Sequence, residues 1–178
     1  MRRAALTLLL ASLGTTGAGQ SVSDSPVALV DYGIFCPFEH TGESRPAPDT
    51  ENGQVFLVDH AREVDIRGDT VPAILGFAFG IRYRLEPGVN LPPTRVIVTH
   101  PPLGAAGMTR QSWDFRPNPG DIAVSLFSFD MPYEMVPGDW SFLLTDGTRT
   151  YLERRFRVVP GDQMPWVFDL CQGPAPMS

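Results

Sequence analysis

Leu75-Gly76-Phe77-Ala78-Phe79-Gly80-Ile81-Arg82-Tyr83-Arg84-Leu85 decides the fold. Phe77, Phe79, Ile81, Tyr83 and Leu85 alternate with Ala78, Gly80, Arg82 and Arg84. A period of two marks a β-strand with one face in a core, so the spacing predicts a half-buried strand whose arginines lie in water. Working outward, Val27 to Cys36, Gln54 to His60, Arg95 to His100, Thr109 to Arg116 and Ile122 to Phe129 read as further strands. The 18 Pro and 17 Gly are spread along the chain, which leaves room only for short segments. After the first twenty residues, no window of eleven or more keeps a helical stripe. The expected class is all-β, an immunoglobulin-like antiparallel β-sandwich of roughly seven to nine strands, with a small β-barrel as the alternative.

Near the C-terminus, Trp140, Phe142 and Leu144 alternate, Asp146-Gly147 marks a turn, and Leu152, Phe156 and Val158 share a phase on the return strand. A three-residue loop, Asp146 to Thr148, places Trp140, Phe142, Phe156 and Val158 on one face, pairs Phe142 with Leu152, and makes Gly147 a left-handed bulge residue. A two-residue loop sends Phe156 and Val158 to the opposite face. The longer loop sets Arg154 opposite Trp140 as a cation–π partner.

The chain has 178 residues, enough for one domain, and a net charge of −6. All 14 basic residues are arginine, which excludes chemistry that needs a Schiff-base or P-loop lysine. An acidic chain without a basic stripe also argues against a nucleic-acid partner. Met1-Arg2-Arg3, the uncharged run Ala4 to Leu13 and the small-residue stretch Gly14 to Gly19 follow the order of a Sec signal peptide. The apolar run is about half of what a membrane span needs. Residues 1–19 are therefore expected to be a signal peptide and 20–178 a single periplasmic or secreted domain. In an oxidising compartment the two cysteines, Cys36 and Cys171, are expected to form a disulfide that ties the tail Met164 to Cys171 back to the first strand.

Chemistry-bearing patterns are sparse. His40, His60 and His100 lie in separate segments without ligand spacing, and no nucleophile elbow, dinucleotide loop or calcium loop occurs. Asp59 and His60 are neighbours on a predicted strand and point to opposite faces. His100, before Pro101-Pro102, suits a ring stacked on proline or bonded to a loop carbonyl. Met131 and Met135 flank acids, yet their loop setting suits gap filling better than copper binding. No catalytic residue, metal or cofactor is expected. The most site-like stretch is Phe127 to Trp140, where aromatic and acidic residues crowd a connection between strands. His100, Asp130, Tyr133 and Glu134 are the candidate binding residues. In the competing structural role, Tyr133 and Trp140 plug the end of the sandwich.

Several segments together resemble the DUF3859 family, bacterial exported proteins that share a domain of unknown function. They are Asp31 to Cys36, Thr70 to Gly76, Thr99 to Gly104, Tyr133 to Trp140 and Phe156 to Pro160. The resemblance implies an exported bacterial protein and transfers no catalytic residue. The expected function is a non-catalytic binding or interaction module for an envelope protein or small molecule. Two alternatives are a small exported hydrolase of cell-envelope polymer, using Asp130, Glu134 or His100 as acid or base, and a carrier of a small apolar ligand.

Overall fold

The computed structural model describes residues 25–39, 42–115 and 118–172; the expected signal peptide and His40 lie outside them. The strands are β1 (Val27–Phe35), β2 (Ser44–Pro46), β3 (Gln54–Phe56), β4 (Ile66–Arg67), β5 (Thr70–Ala73), β6 (Ala78–Leu85), β7 (Thr94–Leu103), β8 (Met108–Phe115), β9 (Ile122–Ser128), β10 (Gly138–Thr145) and β11 (Thr150–Pro160). One helix, α1 (Pro165–Gln172), follows. β4, β1, β6 and β9 form one sheet in that order, and β5, β11, β10, β7 and β8 form the other. β2 and β3 make a separate hairpin. Both main sheets are open, so the architecture is a β-sandwich and not the barrel. All pairings are antiparallel except β5 with β11.

Phe79 is the centre of the core. Its ring, fully buried, lies within 6.1 Å of the ring centroids of Phe127, Phe129, Trp140, Phe142 and Phe156. These partners come from both sheets, so one aromatic side chain joins them. Pairs of this kind add about 0.5 to 1.5 kcal/mol each beyond area burial. The inward phase of β6 is the one its alternation predicts.

The outer phase differs from expectation. Arg84 is exposed, but Arg82 is only 5% exposed. The cause is the segment 57–65, which crosses the outer face of the first sheet: Arg62 lies over the Phe35 ring, Val64 meets Gly33, and His60 reaches Ile122. Gly33 and Gly80 face each other beneath it, and a Cβ on Gly80 would come within 2.1 Å of the Ser125 carbonyl oxygen. A bulge between Leu29 and Asp31 brings Asp31 opposite Arg82, whose guanidinium donates to Asp31 Oδ2 at 2.9 Å. Arg82 is tolerated inside because a carboxylate neutralises it.

The β10–β11 register also differs. Trp140 pairs with Phe156, Phe142 with Arg154 and Leu144 with Leu152, two residues from the expected alignment. The connection is a four-residue loop, 146–149, in which Asp146 Oδ1 accepts the backbone N–H of Thr148 and Arg149. A bulge at Tyr151 lets Tyr151 and Leu152 both be buried. A slip of two conserves the faces, so Trp140, Phe142, Phe156 and Val158 still share one side. Gly147 has positive φ, but within the loop and not at the bulge. Arg154 makes its cation–π contact with Tyr32 of the opposite sheet, 3.5 Å from the ring centroid, instead of with Trp140.

The tail forms a helix of eight residues, too short to show a stripe over eleven, with Val167 in the core. Cys171 on this helix is bonded to Cys36 just after β1, with their Cα atoms 5.3 Å apart. The bridge closes a separation of 135 residues, for which chain entropy gives about 5 kcal/mol as an upper figure.

Asp31→Ala strands the Arg82 charge and is expected to cost about 3 to 5 kcal/mol, whereas Asp31→Ala with Arg82→Met restores most of it. Urea unfolding of the three proteins measures this; equal losses in the single and double variants would contradict it.

Candidate functional site

Edge strands β8 and β9 lie on the same side of the sandwich, one from each sheet. Between them the chain from Ser44 to His60 passes as a strap. Arg45 Nη2 donates to the Asp114 carbonyl at 2.6 Å, Ser112 N–H donates to the Asp49 carbonyl at 3.1 Å, and Glu51 N–H donates to Gln111 Oε1 at 3.0 Å. Arg95 pairs with Asp49 at 2.5 Å, and this cation holds the Asp49 carboxyl below its usual range. Beyond β3 the strap reaches β9, where His60 Nδ1 donates to the Ile122 carbonyl at 3.1 Å.

The strap and the two edges enclose a cleft of about 390 Å³. Its apolar wall comes from Phe56, Trp113, Phe115 and Phe127. Among its polar groups are Gln111, the Tyr83–Ser125 hydroxyl pair at 2.8 Å, Arg45 and His60 of the strap, and the carboxylates Asp130 and Glu134 beyond the end of β9. The volume and the mixture of apolar walls with a few convergent polar groups are those of ligand sites. Burial pushes the Tyr83 phenol up, so it stays neutral and can donate.

The four candidate residues separate. Asp130 and Glu134 both face the cleft. Glu134 is buried, and its Oε2 accepts the N–H groups of Asp130 and Met131, each at 2.8 Å, which locks the short helical turn Pro132–Glu134. Burial raises the Glu134 carboxyl above its usual value. His100 lies behind the cleft wall: Nδ1 donates to the Pro101 carbonyl at 2.8 Å, Nε2 accepts from Gln111 Nε2 at 3.2 Å, and the ring lies tilted against Trp140 with centroids 4.9 Å apart. The position before two prolines predicts a bond to a loop carbonyl, but Pro101 belongs to β7 and is not a loop residue. Tyr133 is 42% exposed on the outside of the turn and does not line the cleft. Trp140 alone takes the plugging role, with Nε1 donating to the Val136 carbonyl at 3.2 Å.

Asp59 accepts the Ala61 N–H at 2.8 Å and does not orient His60. Met131 is exposed while Met135 packs on the core, so the two sulfurs do not converge. Among the described residues no group of three or more His, Cys, Asp and Glu could hold a metal, and no helix is long and apolar enough to cross a membrane. The strap and the β8 wall were missed in sequence. The inward phase of β9, Ala123-Ser125-Phe127, carried the one available signal, a hydroxyl at a core position.

The sequence pattern of the family described as Domain of unknown function (DUF3859) matches residues 24–158. The chain belongs to the DUF3859 family. No curated protein matches this DUF3859 chain. Among solved structures it is similar to an immunoglobulin-like protein from Pseudomonas aeruginosa, at 21% identity and a TM-score of 0.53, over 77% of this chain and 99% of that one. At that identity the likeness shows the fold, an immunoglobulin-like β-sandwich, and no more.

Burial lowers the His100 imidazole below its ordinary 6.5. The neutral ring is the native form, so its contribution to stability is complete above 6.5 and is lost as pH falls through the depressed native value. Glu134 acts with the opposite sign: its native state favours the proton, so stability declines as pH rises from 4.5 through its raised value. His100→Gln is therefore expected to lose less stability than the parent between pH 7 and pH 5, read from urea midpoints. An unchanged difference would contradict the His100 assignment.

Proposed function

We propose that this DUF3859 chain is an exported, non-catalytic binding module whose ligand occupies the cleft between β8 and β9. The observation that carries the reading is the cleft itself, about 390 Å³ with aromatic walls and hydroxyl, amide and carboxylate groups converging on it. His100 supports a binding role because both of its ring nitrogens are engaged by protein groups behind the wall. The mixed lining suits an amphipathic ligand better than a wholly apolar cargo. Export is supported by the leader-like order of residues 1–19 and by a disulfide spanning the domain, a bond that persists in oxidising compartments.

Asp130 and Glu134 side by side also support the hydrolase reading, with Glu134 as a proton donor. The two readings part on Glu134→Gln, which abolishes cleavage of envelope polymer if the carboxyl is an acid but leaves ligand capture largely intact if it only holds the turn.

The oxidised protein is expected to retain a component of its own envelope extract, and Trp113→Ala, with unchanged circular dichroism, to retain at most about a tenth as much. Equal retention by both proteins would place binding elsewhere.

A further inference from the structure

Among the described residues, three of the four edges of the two main sheets are blunted. β4 has two residues, β5 contains Pro72, and β8 carries Arg110 and Asp114 and is bonded to the strap at Ser112. β9 is different: Ile-Ala-Val-Ser-Leu-Phe-Ser has no charge, no proline and no glycine over seven residues. An edge of that kind is a template for another strand unless something prevents it.

The direction of its backbone groups follows from the hydrogen bonds beyond its end. Phe129 N–H donates to the Phe77 carbonyl at 2.9 Å, and the Phe129 carbonyl accepts from Gly76 at 2.8 Å. Phe129 and the residues in phase with it therefore turn toward β6, and Ile122, Val124, Leu126 and Ser128 turn outward. His60 takes the outward carbonyl of Ile122. No bond to the outward N–H and C=O groups of Val124, Leu126 and Ser128 exists among the described residues, and all three residues line the cleft. They span about 14 Å, the reach of a five-residue strand.

We propose that β9 accepts an extended peptide segment as an added strand, with a basic side chain of that peptide at the Asp130–Glu134 end. The proposal rests on the cleft-binding reading and specifies its ligand. Charge complementarity selects the basic residue: Asp130 and the buried Glu134 are the carboxylates facing the cleft and lie beyond the end of β9, whereas the cation of the lining, Arg45, is bonded to the Asp114 carbonyl on β8. The strap selects a single peptide strand over a second copy of the chain, because Val58 and His60 border the edge and leave the space of a cleft, not of another sheet. Backbone pairing supplies affinity in such an arrangement and the flanking pockets supply selectivity.

The test selects random nine-residue peptides displayed on phage against the full oxidised chain, then scans a synthetic hit by N-methylation. The expected hits lack proline over five consecutive residues and carry Arg or Lys at one end. N-methylation is expected to weaken binding roughly tenfold at alternate positions and little between them. The amides of Val124, Leu126 and Ser128 gain hydrogen-exchange protection when peptide binds, and Asp130→Asn with Glu134→Gln removes the preference for Arg over Gln. Hits that shift Trp113 and Phe127 resonances without the period-two pattern or amide protection overturn strand addition and leave the cleft reading standing. Hits that perturb residues remote from the cleft overturn both. Protection of the three amides without peptide, in a dimer, overturns the peptide as occupant.

Discussion

β6 must be covered on both faces, and most of the molecule is arranged to do so. On the inside, Phe79 gathers aromatic rings from both sheets. On the outside, Gly80 and Arg82 lie under a segment that is mostly irregular, and Arg82 is held by Asp31. A strand with one wet face needs no such cover. The excursion between β1 and β5 supplies that cover over Gly80 and Arg82, and the outer face emerges into water at Arg84.

The cleft is a by-product of that cover. To reach the outer face of the first sheet, the chain leaves β1, visits β8 at Asp49 and Glu51, and returns across β9 at His60. It spans the gap between two sheet edges without filling it. Aromatic residues on the inner faces of β8 and β9, which would be core in a closed sandwich, become walls of an accessible site.

The period-two pattern made the class and the principal strands legible because alternation is a local property of one strand. Cysteine count and context made the disulfide legible for a similar reason, since only one pairing was possible. The burial of Arg82 was not legible: the covering residues, Val58 to Val64, carry no apolar period and lie some twenty residues away. The register of β10 and β11 depended on the Asp146 side chain capping a four-residue loop and on the Tyr151 bulge, neither of which changes the facial pattern that was read. For the site, Asp130 and Glu134 were found because acids crowd a strand connection. Trp113, Phe115 and Tyr83 looked like ordinary core residues, and only the placement of the strap makes them otherwise.

The Cys36–Cys171 bond gives the domain a mechanical character. Force applied between residues outside the bridge is carried by a covalent link whose Cα atoms are 5.3 Å apart, and the sandwich between them is bypassed. What such a load can peel away is β1, which lies N-terminal to the bridge and is held by its ladders to β4 and β6. Tension on the N-terminal side would therefore open the first sheet beside Phe79 while leaving β7 to β11 and the cleft wall on β8 unstretched.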